Sequence, residues 1–187
     1  MKTFIINGSP RKNGETSALI DRLVQNLKGE VKVFSTYQDK ISPCTDCRYC
    51  RTHKGCSIQD KMQEIYECIE TYDNVIIASP IYFMNLTPPM QGVLSRFQVY
   101  FSEVYRDIPV HGKKKKGAIL LTGGGTGGFL NAEKTAKLML KMMNAEHLAT
   151  VASLKTDEVA GKDDLEALEQ VDEVVKRMNE FYKKRVN

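Results

Sequence analysis

The sequence has no tryptophan, three histidines and no apolar run approaching the length of a membrane span. The missing apolar run excludes a membrane-crossing helix. The apolar start, Phe4-Ile5-Ile6, breaks off at Asn7-Gly8, too early for a secretory signal, so a soluble cytoplasmic protein is expected. Charge of one sign is also lacking: 27 basic against 23 acidic residues leave a net charge of +4. No basic stripe is interleaved with aromatics, so neither nucleic acid nor membrane is an expected partner. The one dense basic run, Lys113 to Lys116, precedes an apolar segment and reads as a solvated loop. No Ser/His/Asp set or carboxylate pair stands out. His53 reads as exposed beside Arg51 and Lys54, and His111 and His147 have no clustered partners. That pattern suits an enzyme whose chemistry is carried by a cofactor.

What is present is a regular alternation of elements. At 187 residues the chain fits one domain, 1–187, with a cysteine-rich loop at 36–59. Lys2 to Asn7 reads as a buried strand. Leu19, Leu23 and Leu27, with Ile20 and Val24 beside them, predict an amphipathic helix over 16–28 that Gly29 ends. Val31 to Phe34 alternates as a second strand. Asp60 is expected to cap a helix running to about Thr71. Asn74 to Ser79 is apolar throughout, as a central parallel strand should be, and Pro80 is expected to stop it. Thr87-Pro88-Pro89 opens a helix carrying Met90, Leu94, Phe97, Phe101 and Val104. Gly117 to Thr122 is a fourth strand, Ala132 to Met143 a helix, and His147 to Leu154 a fifth strand. Leu165 opens the C-terminal helix. The order predicts a doubly wound α/β domain with a five-stranded parallel sheet. Its ligand is expected beyond the carboxyl ends of the strands, at the topological switch point.

Three loops would meet there. The first, Asn7 to Ser17, holds two glycines, a proline, Arg11 and the hydroxyls of Ser9, Thr16 and Ser17, and it opens directly onto a helix. Backbone N–H groups at a helix N-terminus attract an anion, and hydroxyls with a guanidinium complete a phosphate seat. The competing reading is an ordinary turn with a Ser or Thr cap. The second loop, Ser79 to Pro89, is aromatic, apolar and stiffened by proline. It suits the face of a flat heterocycle, or else Tyr82 and Phe83 merely cover the core. The third, Thr122 to Gly128, contains G-x-G-x-x-G at Gly123, Gly125 and Gly128. A dinucleotide fingerprint belongs to the first strand and turn, so this loop reads as bare backbone approaching a ligand closely.

Together these loops resemble the flavodoxin-like NAD(P)H-dependent FMN reductases over essentially the whole chain. The resemblance implies FMN, with Ser9, Arg11, Thr16 and Ser17 at its phosphate. Pro80, Tyr82 and Phe83 would line the ring, and Thr122 with Gly123, Gly124 and Gly125 its polar edge. Glu15 stands where the family commonly has a neutral polar residue, so it is expected to face solvent. The resemblance further implies hydride from NAD(P)H and an outgoing acceptor: a quinone, a nitro or azo compound, a flavin, or an iron–sulfur protein. It also implies a homodimer or homotetramer.

Four of the five cysteines, Cys44, Cys47, Cys50 and Cys56, follow C-x2-C-x2-C-x5-C. Four thiolates so spaced can wrap a [4Fe–4S] cluster, and the spacing resembles that of the iron–sulfur flavoproteins in this superfamily. In that case the chain would be an electron-transfer carrier. Zinc in a four-thiolate site, making the chain an interaction module, and free thiols are the other readings. Cys68, between Ile65 and Ile69, reads as a core residue.

Overall fold

The computed structural model describes residues 1–103 and 112–186. Val104 and His111 lie outside them. The elements run β1 (Lys2–Asn7), α1 (Glu15–Asn26), β2 (Glu30–Ser35), α2 (Met62–Thr71), β3 (Asn74–Tyr82), β4 (Asn85–Leu86) and α3 (Pro88–Arg96). Then come α4 (Gln98–Glu103), β5 (Lys115–Gly123), α5 (Phe129–Met142), β6 (Ala145–Leu154) and α6 (Leu165–Val186). Five strands pair in parallel in the order β2-β1-β3-β5-β6. This is the flavodoxin-like arrangement, whose switch point lies between β1 and β3.

Strand residues alternate between two cores, as the period of two requires. Phe4, Ile6, Val75, Ile77, Ile119 and Leu121 pack with Met62, Ile65, Ile69, Met90, Val93, Ala136 and Met139 from α2, α3 and α5. Ile5, Ile76, Ala78, Ala118 and Leu120 face Leu19, Leu23, Val171, Val175 and Met178 from α1 and α6. Each large side chain so buried contributes about 1.5–3 kcal/mol. Burial on both faces is why the strands read as unbroken apolar runs rather than alternating ones.

Four expectations are corrected. Pro80 does not stop β3, which continues to Tyr82 with Pro80 opposite Thr122 of β5. β1 has already ended opposite Ala78, so no strand on that side needs the N–H that proline lacks. Beyond it β3 folds back through Phe83 and Met84, both at positive φ (42° and 72°), onto β4. The helix expected to run unbroken to Val104 divides at Phe97, whose N–H takes Leu94 O at 3.0 Å, a tighter turn than α geometry. Only the first half of the basic run, Lys113 and Lys114, is exposed loop. Lys115 is 1% exposed at the start of β5, its Nζ donating to Met143 O at 2.8 Å, and Lys116 pairs with Glu146. Finally, Asp60 precedes α2 by two residues. One carboxylate oxygen does accept the Met62 N–H (3.0 Å), but the other has a different task, taken up below.

Candidate functional site

The first loop is shaped by its own side chains. Asn7 Oδ1 accepts the Ser9 N–H (2.9 Å), Ser9 Oγ accepts the Arg11 N–H (3.2 Å), and Ser17 Oγ donates to Arg11 O (3.0 Å). Gly8 donates to Ala78 O at 2.7 Å, fastening the loop to β3. A Cβ on Gly8 would come within 2.9 Å of Ser79 Oγ and 3.1 Å of Thr87 Oγ1, so only glycine allows this approach. Thr87 Oγ1, at the N-terminus of α3, in turn donates to Gly8 O (2.9 Å). The N-cap of α1 is Gly14, and among the described residues no side chain caps the helix. The ordinary capped turn is therefore not what forms, and the first N–H groups of α1 remain available to an anion.

A cavity of about 230 Å³ lies at the carboxyl ends of β1, β3 and β5. Of the predicted residues it brings together Ser9, Arg11, Thr16, Pro80, Tyr82, Thr122, Gly123 and Gly124. Thr16 Oγ1 and Thr122 Oγ1 are 2.7 Å apart and both buried, joining the first and third loops beneath it. Three predicted residues fall outside its lining. The Ser17 hydroxyl is turned to Arg11 O and borders a neighbouring groove with Lys12 and Asp39. Phe83 is wholly exposed at the tip of the β3–β4 turn. Gly125 is exposed, with open space where a side chain would stand.

Six lining residues were not predicted as site members: Pro10, Gly14, Glu15, Ile81, Thr156 and Asp157. Glu15 does not face solvent. It is half-buried, and its carboxylate accepts the Gly161 N–H, tying α1 to the loop that follows β6. Thr156 N–H donates to Gly123 O (2.9 Å), and the Asp157 carboxylate occupies the space a Gly124 side chain would need. In sequence, only the position of 155–161 just beyond the last strand could have pointed to Thr156 and Asp157. Gly128, at φ +77°, lies against the backbone of Met84, where any Cβ would overlap. The last glycine of the G-x-G-x-x-G therefore serves contact between loops.

The cysteine loop lies beside the α3–α4 junction. All four predicted thiols line one small cavity of about 20 Å³, together with Arg96, Val99 and Ser102. Left-handed backbone at Asp46 (φ 50°), Arg48 (φ 61°) and Gly55 (φ 83°) winds the loop around it. Cys44 N–H donates to Ser95 Oγ (2.9 Å), Cys50 Sγ donates to Ser102 Oγ (3.3 Å), and Cys47 Sγ lies 3.2 Å from Ser57 Oγ. The Ser57 hydroxyl and the Tyr49 N–H hold the Cys47 thiol below its ordinary range. Among the described residues no three His, Cys, Asp or Glu side chains converge on the geometry of a single ion. The thiols thus surround a shared space, which must widen to take anything larger than about one water molecule. His53 is exposed and stacks on Tyr49, with ring centroids 4.4 Å apart. Cys68 is in the core, and burial raises its thiol.

Arg96 fastens this loop at both ends. Its side chain is fully buried and donates to Ser42 O (2.8 Å), Ile58 O (3.2 Å) and Asp60 Oδ2 (2.8 Å). Burial alone would raise the Asp60 carboxyl. The hydrogen bonds from Arg96 and from the Ser42 and Met62 N–H groups outweigh it and hold the group below its ordinary value.

A flavodoxin-like sheet, an uncapped helix N-terminus beside a polar cavity, and an aromatic hairpin at its rim define a doubly wound protein built to seat an anionic ligand. The family model described as NADPH-dependent FMN reductase matches residues 1–158, and the chain belongs to that family. It is 30% identical over 154 residues to an iron-sulfur flavoprotein of Methanosarcina thermophila, covering 81% of this chain and 77% of that one. It is 36% identical over 103 residues to an iron-sulfur flavoprotein of Archaeoglobus fulgidus, covering 54% of this chain and 47% of that one. The chain thus spans about half the length of several curated relatives it matches. Its fold is shared with the NAD(P)H:quinone oxidoreductase from Methanothermobacter marburgensis, at a TM-score of 0.70 and 14% identity over 96% of this chain and 97% of that one. Among the described residues no helix is long and apolar enough to cross a membrane.

Proposed function

We propose that this chain is an FMN-dependent oxidoreductase that takes hydride from NAD(P)H and passes electrons to a second acceptor. The observation that carries this reading is the single cavity uniting the uncapped start of α1, Arg11, the Pro80–Tyr82 edge of the hairpin and the bare backbone at Gly123 and Gly124. The residues present fit the cofactor. Ser9, Arg11 and the N–H groups at 15–17 would hold the phosphate, while Ser17 braces the loop through Arg11 O. Asp157, which lines the cavity against Gly124, would be an acceptor for hydroxyl groups of the bound cofactor. Pro80 and Tyr82 would border the ring and Thr122 with Gly123 and Gly124 its polar edge, while the exposed Phe83 and Gly125 lie outside the cavity lining. FMN, when bound, supplies both hydride and single-electron chemistry. The protein orients it, limits water at the Thr16–Thr122 floor and leaves the rim at Tyr82 open to a second reactant.

A second component would be a thiolate-ligated iron–sulfur cluster held by Cys44, Cys47, Cys50 and Cys56, which would supply single-electron chemistry. Four thiols around one cavity support it, as do the names of the relatives. Zinc is the weaker reading, since the thiols do not converge on one point. Free thiols or a cluster both suit a reducing cytoplasm. Domain 1–187 would act as a homodimer or homotetramer, a reading supported by the exposed Phe83, Met84 and Leu130 beside the cavity. Quinones, nitro or azo compounds, free flavin and an iron–sulfur protein are the acceptors to be assayed.

Anaerobic visible spectra before and after NADH, NADPH and dithionite, with an FMN titration, test the proposal. Arg11→Ala is expected to weaken FMN binding by about tenfold, the loss of one charged phosphate contact. Unchanged affinity would remove Arg11 from the phosphate site.

A further inference from the structure

We infer that Arg96 is the positioning residue of the cysteine centre, holding the loop so that its four thiols face one cavity and placing a buried cation beside them. The inference rests on the reading that these thiols ligate an iron–sulfur cluster. It goes beyond that reading in naming a residue outside the C-x2-C-x2-C-x5-C pattern on which the centre depends.

The 36–59 segment has little regular structure of its own, a single 3-10 turn at Tyr49–Arg51. The end of α3 gathers both of its ends, with Gln63 of α2 also donating to Ile58 O (2.7 Å) and Cys56 O (3.3 Å). Arg96 joins Ser42 O, before the first cysteine, to Ile58 O, after the last, and fastens both to Asp60. Its neighbour Ser95 receives the Cys44 N–H. A guanidinium suits this bridging because its donors diverge in a fixed plane, which an ammonium cannot reproduce. One donor is left over: Arg96 Nε is buried without a hydrogen-bond partner among the described residues, on a side chain that lines the cysteine cavity. A buried donor left unmet is costly, and an anionic thiolate-ligated group in that cavity would supply the missing acceptor. The opposite end of the same helix is tied to the first loop through Thr87 and Gly8. Helix α3 thus spans rigidly from the FMN-facing loops to the cysteine loop.

The test uses the full chain with FMN bound, first iron-free and then after anaerobic reconstitution with ferrous iron and sulfide. In the iron-free protein, Arg96→Gln is expected to speed amide hydrogen exchange across 42–58 by roughly tenfold or more while leaving 8–17 unchanged. After reconstitution it should hold less than half the wild-type iron. The potential of what remains should lie lower, because losing a buried cation favours the less negative, oxidised state. Arg96→Lys, which keeps the charge without the fork, should recover the potential but not the exchange protection. Should Arg96→Gln fail to fold, the double variant Arg96→Met with Asp60→Asn removes the pair without stranding a charge and should show the same loss of protection and iron. Unchanged exchange and iron content in these variants, against a loaded wild type, overturn the inference. If the wild type takes up no iron yet exchange still rises in the variants, the cluster reading falls and Arg96 stands as the residue that orders the loop.

Discussion

The two loops proposed to carry chemistry are ordered in opposite ways. The first, at 7–17, is short and follows a central strand. It is braced by neighbours in sequence and fastened to β3 and α3 through Gly8. Its shape follows almost directly from the sheet. The cysteine loop is more than twice as long. Its two ends meet on one buried guanidinium. A site built on strand ends distributes its order over many small contacts. A loop whose two ends are joined at one ion pair concentrates more of its order there, and should fail more sharply.

The largest effect should come from breaking that pair. Arg96→Ala leaves Asp60 charged and mostly buried, and should lower unfolding free energy in urea by about 3–5 kcal/mol. Replacing both partners by apolar or neutral residues should restore most of it. Equal losses in single and double variants would mean that packing, not charge, holds the loop. The matching experiment on the first loop is milder. Thr16→Val strands the buried Thr122 hydroxyl and should cost about 1–2 kcal/mol, with Thr16→Val/Thr122→Val recovering part of it and FMN affinity reporting any shift of the cavity floor. A larger loss than at Arg96 would invert the comparison.

Lys115 provides a reference far from both loops, at the opposite edge of the sheet. Burial lowers its amine from 10.5 to about 8. Because the folded value is the lower one, the unfolded chain binds more protons between these limits, so stability rises with pH across that window. The rise should be on the order of 1 kcal/mol over the first pH unit above 8. It should vanish in Lys115→Met, as measured by urea denaturation at a series of pH values, with little change in either loop.

Much of the fold was legible because it is written in local periodicity. The short apolar runs at 4–6 and 75–78 and the four-residue spacing of Leu19 and Leu23 each mark an element without reference to its partners. The cavity was legible in outline for a related reason. Loops rich in glycine, hydroxyls and proline stand out against such elements, and eight of the predicted residues do line it. Phe83 shows the limit. An aromatic residue after a strand reads the same whether it faces a ligand or solvent, and the choice was made by positive φ at residues 83 and 84.

The sequence by itself determined the order of strands and helices, the position of the phosphate-type loop and the grouping of four thiols. These depend on the character of residues close together in the chain. Only the tertiary structure decided that Glu15 holds Gly161, that Asp157 packs against Gly124, and that Arg96 closes the cysteine loop. Those contacts join residues tens to more than a hundred positions apart. They exist because the strand order β2-β1-β3-β5-β6 brings distant loops to one edge of the sheet, where a side chain finds its partner by proximity in space and no local pattern records the match.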